Sequence, residues 1–142
     1  MICYAVIDTN VLVSALLSSK DDAATIQVLG KMLNGEIIPV YSNVITKEYR
    51  EVLSRNKFGF SAGMIDYLLS AIEKYGILVS PLPSGIVLPD MKDLPFYEVV
   101  LEKRDDGAYL VTGNIKHFPK EPFVVTPREL LDILDKKKKE VS

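Results

Sequence analysis

The segment that most constrains this chain is an apolar run that ends on an acid and continues into a helical pattern. Residues 4–7 read Tyr-Ala-Val-Ile, Asp8 follows them, and apolar residues then recur from Val11 to Leu16. An apolar run of this kind is typical of a buried parallel strand. In open α/β sheets, ligands bind at the carboxyl ends of the strands. We therefore expect Asp8 to lie where such a sheet places its functional groups.

Further along the chain, short apolar runs alternate with helical patterns. Strands are predicted over residues 2–7, 37–41, 77–79, 108–112 and 123–125. Helices are predicted over about residues 10–17, 21–34, 43–55, 62–75, 95–104 and 127–139. This alternation indicates a three-layer α/β/α fold with a central, mostly parallel sheet. The length of 142 residues fits a single domain over residues 1–142.

Polar residues next to the predicted helices are expected to cap them. Asp21 or Asp22 is expected to cap the second helix, whose inward face is predicted to carry Ile26, Leu29 and Leu33. Ser42 and Ser61 are expected to cap the third and fourth helices, and Met64 is predicted to face inward on the fourth. A capping box is predicted where Thr126 precedes Pro127 and Glu129, and one helical turn is expected through His117.

The third helix carries an acid on its apolar side. At about 100° per residue, five residues form one apolar arc: Val44, Ile45, Tyr49, Val52 and Leu53. Glu48 falls inside this arc. A carboxylate on an inward face is costly unless it is paired or bound to metal, so Glu48 becomes a candidate functional residue.

Several other oxygen-bearing side chains are expected at strand ends and helix starts. Together with Asp8 and Glu48 they are Asp90, Asp93 and Asn114, with Thr9, Asn10 and Thr112 alongside. Hard oxygen ligands without His or Cys suit Mg²⁺ or Mn²⁺. A bound cation relieves the repulsion between converging carboxylates. It can also activate water for in-line displacement at a phosphodiester.

Each of these residues also has a purely structural interpretation. Asp8 and Asp93 could be helix caps, Glu48 a surface residue, and Asp90 a solvated loop acid. Asn114 follows Gly113 and could simply form a turn, and His117 could be structural. The lysines 136–139 fit a solvated helix end. The functional hypothesis depends on the acids meeting in one pocket.

Composition limits the classes of function. No apolar run reaches the roughly 20 residues of a membrane span, and we expect no signal peptide and no membrane association. The single Cys3 suits a reducing cytoplasm, and the absence of a Cys/His cluster excludes a zinc finger. The net charge of −2 is unusual for a nucleic-acid binder. Contacts to phosphates would have to come from local basic residues, and the candidates are Lys47, Arg50, Lys116 and His117.

Four motifs resemble one family. Residues 6–16, 46–49, 90–96 and 108–118 are similar to the successive motifs of a PIN domain, in the same order and over nearly the whole chain. Within that family the chain most resembles stand-alone VapC-type toxins of prokaryotic toxin–antitoxin systems. The resemblance implies a PIN fold, an acidic pocket for Mg²⁺ or Mn²⁺, and an endoribonuclease acting on single-stranded RNA. It further implies a small antitoxin partner and a homodimer.

The resemblance also assigns roles to residues. It implies that Asp8, Glu48 and Asp93 are the core acids and that Asp90 is an additional acid. It implies that three further residues position ligands or water: Thr9, Asn10 and Thr112. Many members carry Asp where this chain has Asn114, and the amide would make a second metal site weaker.

Two alternative functions remain open at this point. The first is a PIN-like module that binds RNA without appreciable turnover, which Asn114 and the acidic composition favour. The second is a phosphoryl-transfer enzyme in which Asp8 attacks phosphate. That chemistry typically needs a second acid two positions on, where this chain has Asn10.

Overall fold

The apolar runs of the sequence form a five-stranded sheet at the centre of the structure. The structure is a computed structural model and describes residues 2–21 and 23–141. The strand order is β3-β2-β1-β4-β5, and every pairing is parallel. The strands are β1 (Cys3–Ile7), β2 (Ile37–Tyr41), β3 (Ile77–Leu78), β4 (Tyr109–Val111) and β5 (Val124–Val125). The predicted central parallel sheet is therefore confirmed.

Helices cover both faces of this sheet and complete a three-layer α/β/α fold. Within the described residues there are six α-helices: α1 (Thr9–Leu17), α2 (Ala24–Leu33), α3 (Asn43–Leu53), α4 (Ala62–Tyr75), α5 (Leu94–Glu102) and α6 (Pro127–Val141). Helix α5 packs against β1, β2 and β4 and contacts α3, while α2 packs against β2, α1 and α6. Across residues 2–21 and 23–141, no helix is both long enough and apolar enough to cross a bilayer.

The predicted caps of three helices are present. The Ser42 hydroxyl accepts a hydrogen bond from the Ile45 amide at 3.2 Å, and Ser61 does the same for Met64 at 3.1 Å. At α6, the Thr126 amide donates to Glu129 at 2.9 Å and the Glu129 amide donates to the Thr126 hydroxyl at 3.1 Å. This reciprocal pair is the predicted capping box.

The predictions for α2 were wrong in two respects. The helix is preceded by Ala23 with no side-chain cap, so Asp21 does not cap it, and Asp22 lies outside the described residues. Its fully buried residues are Val28 and Met32; of the residues predicted to face inward, Leu29 is partly buried against the core and Leu33 is exposed. Apolar residues occupy more than half of the circumference of α2, so periodicity alone does not select the face that packs.

Other differences concern helix faces and ends. Val44 is 60 % exposed and Met64 is 38 % exposed, so neither faces the core as predicted. Helix α3 ends at Leu53 rather than Arg55. Helix α5 ends at Glu102, two residues earlier than predicted, and a short 3₁₀ turn follows it. Helix ends often fray into 3₁₀ geometry, so offsets of one or two residues are expected.

The order of the strands explains where a site can form. The chain leaves β1, builds β2 and β3 on one side, and then crosses back to build β4 and β5 on the other. Such a reversal opens a crevice at the carboxyl ends of the two strands beside it. In the register of β1 and β4, Ile7 pairs with Val111. Asp8 and Thr112, the next residues, therefore lie side by side at this crevice.

Candidate active site

Asp8 lies at the carboxyl end of β1 and is fixed by two side-chain hydrogen bonds. Its amide donates to the Val111 carbonyl at 2.9 Å, which continues the pairing of β1 with β4. The Thr112 hydroxyl donates to Asp8 Oδ2 at 2.7 Å, and Asn10 Nδ2 donates to the same oxygen at 3.0 Å. Asp8 occupies the cap position of α1, but its side chain makes no capping bond to that helix.

The loops that follow β1 and β4 are fastened to each other. Asn10 Oδ1 accepts a hydrogen bond from the Gly113 amide at 3.2 Å, and the Thr112 hydroxyl accepts one from the Asn114 amide at 3.0 Å. Asn10 therefore bridges Asp8 and the β4 loop through its two amide atoms. Of the residues predicted to support the site, Asn10 and Thr112 both contact Asp8.

Glu48 reaches the same end of the sheet from α3. The Thr9 hydroxyl donates to Glu48 Oε2 at 2.5 Å, so the first residue of α1 contacts the acid directly. Glu48 is half-buried, whereas its neighbours Lys47 and Glu51 are exposed. The prediction that Glu48 faces inward is confirmed in this respect, even though Val44, one turn earlier on the same side of α3, is exposed.

Asp93 enters the site at the start of α5. It occupies the cap position of that helix, but its side chain makes no capping bond. Its Oδ2 is buried and has no aligned hydrogen-bond partner among residues 2–21 and 23–141. The ring nitrogen Nδ1 of His117 lies 3.3 Å from this oxygen, a contact that becomes an ion pair when the imidazole is protonated. Asp93 Oδ2 is thus a buried acceptor that lies against His117 and makes no well-aligned hydrogen bond within the described residues.

The three acids interact electrostatically. Burial raises the pKa of Asp8 to about 6 against the opposing hydrogen bond from Thr112, and the charges of Asp93 and Glu48 raise it further. Burial also raises the pKa of Glu48, where the bond from Thr9 opposes the shift and the charge of Asp93 adds to it. The negative charges of Asp93 and Glu48 therefore disfavour the ionisation of Asp8.

Asp90 is near this pocket but is engaged elsewhere. It is exposed, and its Oδ1 accepts a hydrogen bond from the Lys92 amide at 3.0 Å, which caps the 3₁₀ turn over Met91–Asp93. Burial raises the pKa of Asp93, and the charge of Asp90 is the next largest contribution to this rise. The charge of Asp90 therefore affects the ionisation of Asp93, while its carboxylate caps the 3₁₀ turn.

The predicted phosphate-binding residues fall into two separate cavities. Lys116 and His117 line a cavity of about 310 Å³, together with Gly113, Asn114, Ile115 and Thr126. Through the contact of His117 with Asp93, this cavity borders the acids. Lys47 and Arg50 line a different cavity of about 450 Å³ between α3 and α4, where Arg50 forms an ion pair with Asp66 at 2.8 Å.

One residue at the site was not predicted to have a role. Tyr49 was placed on the apolar arc of α3, but its hydroxyl donates to the Ile7 carbonyl at 2.5 Å, directly before Asp8. The signal was present in the sequence, because a phenol on an inward arc needs a hydrogen-bond acceptor. The periodicity of α3 could not show which acceptor it would meet.

Comparison with known proteins identifies the family. A family profile described as PIN domain matches residues 4–116, which include all three acids and both loops of the site. The chain belongs to the PIN domain family. Domains of this family are generally nucleases and usually use divalent metal ions. No curated protein and no solved structure matches the chain.

The donors of this PIN domain fit a hard cation in their chemistry. They are carboxylates, and that of Asp93 presents a buried Oδ2 that makes no well-aligned hydrogen bond within the described residues. In residues 2–21 and 23–141, no three His, Cys, Asp or Glu side chains already form a metal-binding group. Mg²⁺ is commonly bound through one or two carboxylates and several waters, so a complete protein cage is not required. Asp8, Glu48 and Asp93 are the residues that could hold such an ion.

Proposed function

We propose that this PIN domain is a Mg²⁺- or Mn²⁺-dependent endoribonuclease that cleaves single-stranded RNA with metal-activated water. The observation that carries the proposal is the burial of Asp8 at the carboxyl end of β1, where the charges of Asp93 and Glu48 raise its pKa and the charge of Asp93 also raises the pKa of Glu48. A divalent cation would convert this unfavourable arrangement into a binding site.

The protein groups would divide the work as follows. Asp8 and Asp93 would hold the ion, with Glu48 as the third acid. The bonds from Thr112 and Asn10 orient Asp8, and the bond from Thr9 orients Glu48. When bound, a divalent ion supplies an acidified water and neutralises charge that develops on the phosphodiester.

Two further ligands are proposed with smaller roles. Asp90 is exposed and would need to leave its bond to the Lys92 amide before it could bind metal. Asn114 is exposed at the rim of the cavity that Lys116 and His117 line. An amide oxygen there carries less charge than a carboxylate, so a second ion would be bound weakly.

The substrate would lie along the cavity that borders Asp93. Lys116 and His117 line it, and positive groups beside an acidic site can hold the phosphates that flank the one being cleaved. Lys47 and Arg50 would contact a longer RNA outside the site, since they line a separate cavity on α3 and α4. Because the net charge of the chain is −2, these contacts would be local rather than part of a basic face.

The direct test is the Asp8→Asn variant. The change keeps the size of the side chain and removes the charge, so we expect it to abolish Mn²⁺-dependent cleavage of a labelled single-stranded RNA. Asp105→Asn is the matched control, because Asp105 is exposed on the turn after α5. Circular dichroism would show that both variants fold. Wild-type cleavage rates in the Asp8 variant would rule out this assignment.

We further propose that residues 1–142 form a single domain that acts in the cytoplasm as the toxin of a toxin–antitoxin pair and assembles as a homodimer. The similarity of its four motifs to VapC-type toxins supports this proposal. Exposed apolar side chains on α2 and α4 also support a protein partner, because Leu33, Tyr67 and Tyr75 line one groove of about 240 Å³.

Light scattering on the purified chain tests the dimer. A short upstream reading frame whose product blocks cleavage would identify the antitoxin, and a chain that is monomeric and has no such neighbour would contradict the proposal.

A second candidate function is RNA binding without turnover. It is favoured by Asn114 and by the lack, among the described residues, of a ready-made group of three metal ligands. This alternative expects single-stranded RNA to bind the wild-type protein equally well with Mn²⁺ and with EDTA, and to remain uncut in both. Cleavage that appears with Mn²⁺ and stops with EDTA would exclude it.

A further inference from the structure

We propose that Tyr49 is a positioning residue for the metal site, which sets Asp8 at the end of β1 relative to Glu48 on α3 and Asp93 at the start of α5. The proposal rests on the function proposed above. It concerns a residue outside the set of acids, and it follows from the contacts of a single buried side chain.

The first contact fixes β1 to α3. The Tyr49 hydroxyl donates to the Ile7 carbonyl at 2.5 Å, a short hydrogen bond between elements that are far apart in the sequence. Ile7 precedes Asp8 and Tyr49 follows Glu48, so one bond joins the backbone beside one acid to the residue beside another. A shift of α3 along β1 would break this bond as it moved Glu48 away from Asp8.

The second contact joins the same side chain to α5. The ring of Tyr49 packs against the ring of Phe96, with centroids 6.1 Å apart and planes inclined by 50°. Phe96 lies three residues after Asp93, in the first turn of α5. Tyr49 and Phe96 are 2 % and 1 % exposed. Tyr49 lies on α3 and contacts both β1 and α5. One side chain therefore links the three elements that carry the acids.

The hydroxyl is the part of Tyr49 that calls for explanation. A phenylalanine could fill the same space without burying a polar group, and a buried hydroxyl is costly unless it is hydrogen-bonded. The Ile7 carbonyl supplies that hydrogen-bond partner, so the hydroxyl serves the link between α3 and β1 and not the filling of the core.

The test compares two Tyr→Phe variants that lose the same kind of bond. Tyr49→Phe removes the bond to Ile7 and keeps the ring. Tyr41→Phe is the matched control, because the Tyr41 hydroxyl also donates to a backbone carbonyl, that of Glu73 at 3.2 Å, and it joins β2 to α4. Mn²⁺ alone is the probe. Its affinity is measured by calorimetry, and the Tm of each variant is measured at one fixed Mn²⁺ concentration and in EDTA.

A positioning role predicts a specific pattern. In Tyr49→Phe the Kd for Mn²⁺ should rise about tenfold or more, as is typical when a group that orients metal ligands is lost. The difference between the Tm with Mn²⁺ and the Tm in EDTA should be smaller for Tyr49→Phe than for wild type. Because both Tm values come from the same variant, a general loss of stability cancels in this difference. For RNA cleavage, kcat should fall while KM for RNA stays within about twofold. Tyr41→Phe should match wild type in all of these measurements except its EDTA Tm.

Other outcomes would overturn the proposal. Wild-type Mn²⁺ affinity in Tyr49→Phe would show that the residue only fills the core, even if RNA cleavage by the wild type proves the proposed function correct. If the wild type binds Mn²⁺ through Asp8 but cuts no RNA, the proposed activity fails and the Mn²⁺ affinities still decide the role of Tyr49. If Tyr49→Phe does not fold, Phe96→Leu leaves the hydroxyl in place and loosens its ring contact. Unchanged Mn²⁺ affinity in that variant would overturn the proposal, as would a wild type that binds no Mn²⁺.

Discussion

Neutralising Asp8 should stabilise the metal-free protein while it abolishes the activity. Asp8 is only 6 % exposed, and this burial raises the pKa of its carboxyl group from 3.8 to about 6. Because the folded state binds the proton more tightly than the unfolded state, ionisation above pH 6 opposes folding. At about 1.4 kcal/mol per pH unit, the difference between the two pKa values corresponds to about 3 kcal/mol of unfolding free energy.

The sign of this effect gives a pH-dependent test. Below pH 3.8 both states are protonated and Asp8 has no effect, whereas above pH 6 the full cost of its charge is present. We therefore expect Asp8→Asn in EDTA to be more stable than wild type by about 3 kcal/mol at pH 7.5, a rise in Tm of roughly 10 °C. At pH 4.5 the difference should shrink to about 1 kcal/mol.

Urea unfolding followed by circular dichroism at the two pH values measures both quantities. Asp105→Asn serves again as the control and should leave the unfolding free energy within about 0.5 kcal/mol of wild type. Mn²⁺ should then raise the stability of wild type and not that of Asp8→Asn. If Asp8→Asn is no more stable than wild type at pH 7.5 in EDTA, the carboxylate is not desolvated as described and the reasoning fails.

Four further variants test other parts of the structure. Thr112→Val removes the hydroxyl that donates to Asp8, and we expect kcat for RNA cleavage to fall about tenfold with little change in KM; an unchanged kcat would count against this bond as an orienting contact. Hydrogen bonds from Lys138 on α6 and Lys31 on α2 lower the pKa of the Glu36 carboxyl group to about 2. The charge of Glu36 therefore stabilises the fold above pH 4.5, and this contribution is lost as the pH falls toward 2. Since the Glu36 side chain is 35 % exposed, Glu36→Gln should cost less than about 1 kcal/mol at pH 7, and the cost should shrink in high salt; a cost that does not depend on salt would refute the ion-pair explanation. Lys116→Ala should weaken RNA binding and reduce the slope of log K against log salt by about 0.7, whereas Lys47→Ala should have a smaller effect; equal effects would contradict the assignment of the substrate to the cavity beside Asp93.

The sheet could be predicted from the sequence because its strands are short apolar runs with clear ends. The strand that ends at Ile7 and the one that ends at Val111 both precede polar residues, and parallel strands bring such ends to one edge. That rule places Asp8 and Thr112 at the same edge of the sheet, and the pairing of β1 with β4 makes them neighbours. Helix starts at Ser42 and Ser61 were equally clear, because a hydroxyl there can satisfy a free backbone amide.

Helix faces were less predictable where apolar residues cover more than one side. On α3 the spacing correctly turned Glu48 inward but also included Val44, which is 60 % exposed. On α2 the apolar residues spread widely, and contact with α1, α6 and β2 selects Val28 and Met32. The pattern of a single helix cannot show which neighbouring element will cover it.

The loop acid Asp90 shows a second limit. Its place with Asp93 at the start of a predicted helix suggested that both acids face one pocket, but the 3₁₀ turn over Met91–Asp93 directs Asp90 to the Lys92 amide. Local bonds of this kind compete with long-range ones and depend on a turn geometry that the sequence does not specify. The bond from Tyr49 to Ile7 is the opposite case, because it joins residues far apart in the chain and emerges only when α3 packs on β1.

We propose that Asp8, Glu48 and Asp93 hold a divalent cation between them. A crystal soaked in Mn²⁺, with anomalous diffraction collected at the manganese edge, shows whether they do. We expect an anomalous peak within bonding distance of the Asp8 and Asp93 carboxylate oxygens, with Glu48 beside it. A well-diffracting crystal with no peak there, or with its only peak on another surface, would contradict it.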